Sequence, residues 1–399
     1  MMRYEFVEES PSAEIKVFGV GGAGGNAINN MIAAGLRGVE FIATNTDKQA
    51  LDLNAARDKL QLGANLTHGL GAGSDPEKGA LAAEENVETI RAATESADMI
   101  FITAGMGGGT GTGASPVIAR ESKNNGALTV AVVTKPFDFE GEKRMKTALA
   151  GIEKLQKEVD TLLIIPNQRL RALGTKDTPF LELMKMADDV LLYAVKGIAD
   201  LITIPGFINL DFADVKRVME QMGTAIMGTG TAKGENRALE AAQMAINSPL
   251  LEDISIDEAR GVLINITGST KMTMDEVTEA SSFVKNEVHS NAEIIWGMVF
   301  DDTMDDEMRI TVIATGIGGD KDRKIINLRD INPEETEEGW TVRVKEDLDK
   351  PTFQRQLAEE DSEKLLRDTG LNPGKKGILQ RVFQKENLEY PTFLRKQAD

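Results

Sequence analysis

The sequence predicts an α/β protein in two parts, a mostly parallel sheet with helices on both faces joined by a long central helix to a smaller mixed α/β unit. Three observations carry this. Short β-rich runs alternate with stretches of helical period from Glu14 to about Ile165. About 25 residues of unbroken helical pattern follow, from Pro179 to Thr203. Strands and helices then recur over a shorter stretch that closes near Gly316. At 399 residues and 41% hydrophobic content, the chain exceeds the usual size of a single core.

In the first part the β-rich runs are EIKVFGV, EFIATN, KLQLG, DMIFITA, LTVAVVT and DTLLIIP. The central helix would cover about 37 Å at the standard rise and ends at the breaker pair Pro205-Gly206. The second part reads as a helix from about Asp211 to Gln221, strand TAIMGTG, a helix from about Gly234 to Asn247 and strand RGVLINIT. A helix from about Met274 to Val288 and strands AEIIWGMVF and MRITVIATG complete it. Beyond Gly316 charged and polar residues dominate and apolar periodicity fades, so residues 319–385 are expected to be a flexible linker and 386–399 a short terminal peptide. The expected division is therefore 13–178, 179–203, 204–318, 319–385 and 386–399.

Composition removes several kinds of chemistry. With no Cys and only His68 and His289, disulfide scaffolds, Cys/His zinc sites and thiol nucleophiles are excluded, and a His-based triad nearly so. The net charge of -19 repels a phosphate backbone, which argues against nucleic acid as a partner. The opening residues MMRYEFVEESPSAEIK lack a basic start followed by an apolar stretch, and no run of about 18 apolar residues occurs. The expectation is a soluble, cytoplasmic protein without direct membrane insertion.

Two glycine-rich segments stand out. The strand KVFGV runs into Gly19-Val20-Gly21-Gly22-Ala23-Gly24-Gly25, with a helix expected from about Asn26. Glycines in a strand-to-helix turn let backbone N–H groups approach an anion at the helix amino terminus. Alone this segment also fits the dinucleotide pattern GxGxxG, with Asp47 spaced to meet a ribose hydroxyl, so an NAD-linked oxidoreductase is the alternative. The second segment is stronger: MIFITAG leads into Gly107-Gly108-Gly109-Thr110-Gly111-Thr112-Gly113, followed by the helical ASPVIARESKN. So many glycines in seven positions cost chain entropy and pack poorly, which a structural role alone hardly explains. Two anion-cradling helix starts at the carboxyl ends of two strands suit a di- or triphosphate. No GxxxxGK[ST] is present, so this is no P-loop protein.

GGGTGTG resembles the signature of the FtsZ/tubulin family, and further matches follow in order over about residues 13–317 and again over the last dozen. GVGGAGGNAINNM is similar to the family's first phosphate loop and ATNTDKQAL, with Asn45 and Asp47, to its second. GLGAGSDPEKG resembles the γ-phosphate loop, KPFDFEGEKR the sugar loop and NLDFADVK the catalytic loop. The chain is shorter than tubulins and its ending resembles the bacterial members.

The resemblance implies a GTPase of the cell-division ring at mid-cell, assembling head to tail. Gly21, Gly22, Gly25 and Asn26 would meet the α- and β-phosphates, Gly108, Thr110, Gly111 and Thr112 the β- and γ-phosphates within the run Gly107 to Gly113, with Gly109 among them. Ala72 and Gly73 would lie by the γ-phosphate. Pro136, Glu140 and Arg144 would contact the sugar, although Glu140 and Arg144 also suit an i,i+4 ion pair. Asn167 would reach the base, with a helix N-cap the other reading. Asp188 would accept hydrogen bonds from guanine N1 and the 2-amino group, which adenine cannot satisfy. Met184 stands where the family usually places a Phe to stack on the base, giving a less rigid thioether contact.

Asn209, Asp211 and Asp214 would act in catalysis, while Asp211 also suits an N-cap and Asp214 a first-turn dipole partner. From Asp188 to Thr203 the helix covers about 22 Å, so these carboxylates would act on a neighbouring subunit's nucleotide, in a heterologous contact that repeats into a filament. Mg2+ would be held mainly by phosphate oxygens and water. The terminal Tyr390 to Asp399 resembles the peptide that docks on membrane-tethering division proteins (FtsA-like), and Pro351-Thr352-Phe353-Gln354-Arg355-Gln356 shares its pattern PTFxR. A nucleotide-binding filament protein without turnover is a third reading, against which the intact NLDFADVK argues.

Overall fold

The computed structural model describes residues 13–171, 174, 178–204, 211–220, 223–251, 259–289 and 291–317. The expected linker and terminal peptide, the PTFxR pair, Pro205-Gly206 and Asn209 lie outside the described residues.

The strands form one ten-stranded sheet in the order β3-β2-β1-β4-β5-β6-β7-β10-β8-β9. These are β1 Ile15–Val20, β2 Val39–Asn45, β3 Asp58–Gln61, β4 Met99–Gly105, β5 Leu128–Lys135, β6 Thr161–Pro166, β7 Gly223–Lys233, β8 Gly261–Gly268, β9 Glu293–Phe300 and β10 Glu307–Ile317. The first six are parallel to their neighbours, as the alternation of strand and helix requires. β7 joins them in parallel through Thr161↔Gly223 to Leu163↔Ala225. β10 then runs antiparallel between β7 and β8, with β9 parallel to β8. The second half is thus mixed, and its strands extend the sheet of the first.

Both faces of the parallel half are buried, and residue alternation along each strand sorts the side chains. Ile15, Val17, Met99, Phe101, Val130 and Val132 fill one core with the helices α1 (Gly21–Ala33) and α9 (Phe180–Thr203). Phe18, Val20, Ile100, Ile102, Ala131 and Val133 fill the other with α4 (Pro76–Glu85), α5 (Val87–Thr94), α6 (Thr110–Asn124) and α7 (Glu142–Glu158). A third core lies under α11 (Arg237–Ile246) and α12 (Met274–Asn286) in the second half. The core of α9 also takes in Leu263, Ile295 and Ile313 from β8, β9 and β10, so this helix is packed between the two halves. Three short helices, α2 (Lys48–Asp52), α3 (Ala64–Thr67) and α8 (Asn167–Leu170), and α10 (Phe212–Met219), complete the α-helices of the described residues.

The direction of α9 fixes what it connects. Its first residue, Phe180, meets the Phe139 ring edge-on at 6.0 Å, just past the carboxyl end of β5. At its last residue, a Cβ on Gly38 would stand 2.7 Å from Thr203 Cβ, immediately before β2 begins. The helix therefore runs from the carboxyl edge of the parallel sheet to its amino edge. There the Met219 carbonyl, at the end of α10, accepts the Thr161 hydroxyl at the start of β6.

Candidate nucleotide-binding site

The site stands at the carboxyl ends of β1 and β4, parallel neighbours in register from Ile15↔Met99 to Val20↔Ala104. β1 gives way at Gly21 with φ +74, and β4 through Gly107 with φ +100, backbone conformations that favour glycine. Helices begin at once: α1 at Gly21 rather than near Asn26, and α6 at Thr110 rather than after Gly113. Sequence reasoning treats glycine as a helix breaker. Here the missing side chains let each helix start lie on its neighbours. A Cβ on Gly111 would stand 2.7 Å from the Gly105 carbonyl oxygen, and one on Gly21 3.0 Å from the Gly111 nitrogen. The two glycine-rich turns are in contact through these positions.

The glycines divide into two groups, those that close packing requires and those that border open space. A Cβ on Gly109 would stand 2.8 Å from Ala72 Cβ and 2.9 Å from the Asp75 nitrogen, and one on Gly113 would fall on the Pro76 carbonyl oxygen. These residues let α4 lie directly on α6. By contrast, a Cβ on Gly22, Gly73 or Gly108 would meet nothing within 4 Å. Those three border open space, and Gly22 does so in the first turn of α1, where N–H groups lack intrahelical partners and the helix dipole favours an anion. Asn26 is exposed one turn further along. Gly25 is half-buried and gives its carbonyl to Asn54 Nδ2 at 2.8 Å.

Both threonines of the signature are engaged within the protein. Thr112 Oγ1 accepts the Gly107 N–H at 2.8 Å, and Thr110 Oγ1 lies 2.6 Å from Thr46 Oγ1. Asp47 caps α2, its Oδ1 accepting from Gln49 and Ala50 N–H at 2.9 and 3.2 Å. Asp47 Oδ1 thus serves as an N-cap. Asn45 Oδ1 accepts the Asp47 N–H at 3.1 Å. The segment Gly69–Gly71 is tied to this turn by Lys48 N–H to the Gly69 carbonyl at 3.0 Å and Gly71 N–H to the Thr46 carbonyl at 3.2 Å.

Pro136 is buried at the end of β5. Beyond it, Glu140 holds the loop with both oxygens: Oε1 accepts the Phe137 N–H at 2.8 Å and Oε2 lies 3.1 Å from Arg144 Nε. The i,i+4 ion pair is therefore formed, and it borders the phosphate loop, since a Cβ on Gly107 would stand 2.8 Å from Arg144 Cγ.

Asn167 is the first residue of α8 and Pro166 its cap, so the N-cap reading of Asn167 does not hold. Its Oδ1 is buried with no hydrogen-bond partner. Met184 and Asp188 are half-buried one turn apart on α9. Burial, and secondarily the charge of Asp189, pushes the Asp188 carboxyl up to about 6. Asp189 in turn accepts Asn30 Nδ2 at 2.9 Å, a link between the phosphate-loop helix α1 and α9 that sequence reasoning missed, as it did Thr46 and Asn54.

Asp211 and Asp214 are not part of this cluster. Asp211 caps α10, its Oδ1 accepting the Asp214 N–H at 2.8 Å, and Asp214 stands in the first turn. Both structural readings of these acids hold. Through Arg217 they lie beside Glu293, the first residue of β9, at the amino edge of the sheet, a strand length from the glycine-rich turns, about 20 Å for a strand the size of β4.

Two touching glycine-rich helix starts on adjacent parallel strands, without a P-loop lysine, define a nucleotide-binding α/β protein. Residues 14–175 match the model of the Tubulin/FtsZ family, GTPase domain, and 223–318 that of the FtsZ family, C-terminal domain. The chain is 55% identical over 307 residues to the cell division protein FtsZ of Magnetospirillum gryphiswaldense, covering 77% of this chain and 55% of that one. It is 54% identical over 327 residues to FtsZ of Rickettsia felis, covering 81% and 72%. An empty FtsZ dimer of M. jannaschii superposes with TM-score 0.74 at 47% identity, covering 77% of this chain and 89% of that chain. The chain belongs to the FtsZ branch of the tubulin/FtsZ GTPase family.

Proposed function

We propose that this protein binds GTP at the carboxyl edge of its parallel sheet, assembles head to tail, and hydrolyses GTP only where one subunit's Asn209, Asp211 and Asp214 meet the next subunit's nucleotide. The observation that carries this is the placement of Asp211 and Asp214 at the opposite edge of the sheet from the phosphate loops, with α9 between. No rotation of these side chains closes about 20 Å, so the acids act on another molecule. The contact is heterologous and propagates as a filament.

In this reading the main chain at Gly22 and Gly108 approaches the phosphates, with the amide dipoles offsetting their charge. Gly107 and Gly109 to Gly113 shape that loop, and Ala72 and Gly73 border the γ-phosphate. Glu140 and Arg144, beside Pro136, flank the sugar. Asn167 turns an unpartnered oxygen toward the base, Met184 lies along the ring, and Asp188 selects guanine. Asp211 and Asp214 orient and polarise the attacking water. Among the described residues no group of three acidic or His side chains is placed to hold a metal ion, so Mg2+ is assigned to phosphate oxygens and water. When bound it offsets phosphate charge. The division into 13–178, 179–203 and 204–318 belongs to the same reading, as do action in the mid-cell division ring and docking of Tyr390 to Asp399 on membrane-tethering partners, with Pro351 to Gln356 as a second docking motif. No described helix is long and apolar enough to cross a membrane.

Light scattering after addition of GTP or ATP, with phosphate release followed in the same sample, tests this. Scattering and phosphate release should both rise with GTP and not with ATP. Hydrolysis without assembly, or an equal response to ATP, contradicts it.

A further inference from the structure

Arg217 on α10 stands between two carboxylates. Its Nη2 lies 2.6 Å from Glu293 Oε1 and 3.4 Å from Asp214 Oδ1. Glu293 is the first residue of β9, where its N–H donates to the Arg260 carbonyl at 2.8 Å and its Cα is in register with Gly261 of β8. A chain of contacts thus leads from the sheet through Glu293 and Arg217 to Asp214. Lys216, beside Arg217, pairs instead with Glu220 at 3.6 Å, leaving Arg217 as the cation on Asp214 among the described residues.

We propose that Arg217 is a positioning residue for GTP hydrolysis: braced by Glu293, it fixes the Asp214 carboxylate and offsets its charge. The inference rests on the reading of Asp214 as an acid acting on a neighbour's nucleotide. The two acids are held differently. Asp211 is fixed by the helix start it caps, its Oδ1 on the Asp214 N–H. Asp214 stands in the first turn of that helix, and its Oδ1 lies 3.4 Å from Arg217 Nη2 one turn on, which restrains it. Neutralisation matters because a bare carboxylate approaching a triphosphate meets like charge, most strongly once water is excluded from the contact. Without Arg217, Asp214 and Glu293 also repel each other across the space it fills. An exposed pair of this kind contributes little to folding, so its effect should fall on turnover rather than on stability or assembly.

The test is steady-state GTP hydrolysis by assembled full-length protein, read with the critical concentration and the melting temperature. Arg217→Ala should lower kcat about tenfold while KM for GTP, critical concentration and melting temperature stay at wild-type values. Glu293→Ala should cost about threefold, and the double variant no more than Arg217→Ala alone, since Glu293 acts through Arg217. Arg217→Lys should be intermediate, its compact ammonium serving one carboxylate rather than two. Additive losses overturn the inference, and so does a wild-type kcat in Arg217→Ala when Asp214→Asn is slow. If Asp214→Asn turns over at the wild-type rate, the reading of Asp214 fails and this inference with it.

Discussion

The Thr112 hydroxyl accepts the Gly107 N–H at 2.8 Å, closing the second glycine-rich loop from within. Thr112 is buried, so its replacement leaves that N–H without a partner, at a cost of about 1–3 kcal/mol. Thr112→Val should lower stability by that amount in urea unfolding and weaken GTP binding about tenfold, because Gly108 is no longer held. Unchanged binding in a destabilised Thr112→Val would show that the loop's shape does not depend on this bond.

Two glycines of the same run should respond oppositely to a methyl group. Gly113→Ala puts its Cβ on the Pro76 carbonyl oxygen and should cost about 3 kcal/mol or more through overpacking. Gly108→Ala meets nothing within 4 Å, so its stability should change by under about 1 kcal/mol while GTP affinity falls at least tenfold. Unfolding curves and nucleotide titrations of both variants check the pair. A stable Gly113→Ala, or a Gly108→Ala with full affinity, contradicts the assignment of packing and ligand-facing roles.

Asp188 should make the protein's stability and its ligand binding respond oppositely to substitution. The folded protein holds the Asp188 proton more tightly than the unfolded chain, the carboxyl rising from 3.8 to about 6. It therefore opposes folding increasingly as pH rises through that window, and by a constant amount above it. Asp188→Asn should be more stable than wild type at pH 8, by on the order of 1–2 kcal/mol after allowance for partial exposure, with the gain shrinking toward pH 5. The same variant should bind GTP weakly and discriminate poorly against ATP, and wild-type affinity should decline as pH falls below about 6. An Asp188→Asn less stable than wild type at pH 8, or equally selective, contradicts this role.

The terminal motif gives a prediction independent of the nucleotide. Phe393→Ala should abolish most binding to a membrane-tethering partner with GTP hydrolysis and assembly intact, because an aromatic anchor dominates so short a docking peptide. Phe353→Ala should cause a smaller loss, visible with a multivalent or membrane-bound partner through effective concentration. Equal binding by wild type and Phe353→Ala to such a partner reduces the PTFxR pair to coincidence.

What was legible in the sequence follows from how local each signal is. The strands of the parallel half could be read because both faces are buried and runs such as MIFITAG and LTVAVVT are predominantly apolar. The central helix was equally plain, with only its first residue shifted, from Pro179 to Phe180. The glycine segments pointed to the site, but not to the division of labour within them. Gly113 reads as ligand-facing until Pro76 is placed against it, and the approach of α4 to α6 has no local signature. The Thr46 and Thr110 pair, the Asn30 and Asp189 link and the Glu293, Arg217 and Asp214 chain join residues far apart in sequence, so periodicity and spacing carry no trace of them. Asp47 shows the reverse case: its spacing fits a ribose contact, while its Oδ1 caps the helix that begins at the next residue.

Catalysis between subunits is tested most directly by specific GTPase activity as a function of protein concentration, with Asp211→Ala mixed into wild type as a second axis. Activity per subunit should vanish below the critical concentration and rise steeply above it. Asp211→Ala should bind GTP, join wild-type filaments and lower their turnover in proportion to its share of the contacts. Specific activity that stays constant down to nanomolar protein would mean that an isolated subunit is competent, and would contradict the placement of Asp211 and Asp214 as groups acting on a neighbour's nucleotide.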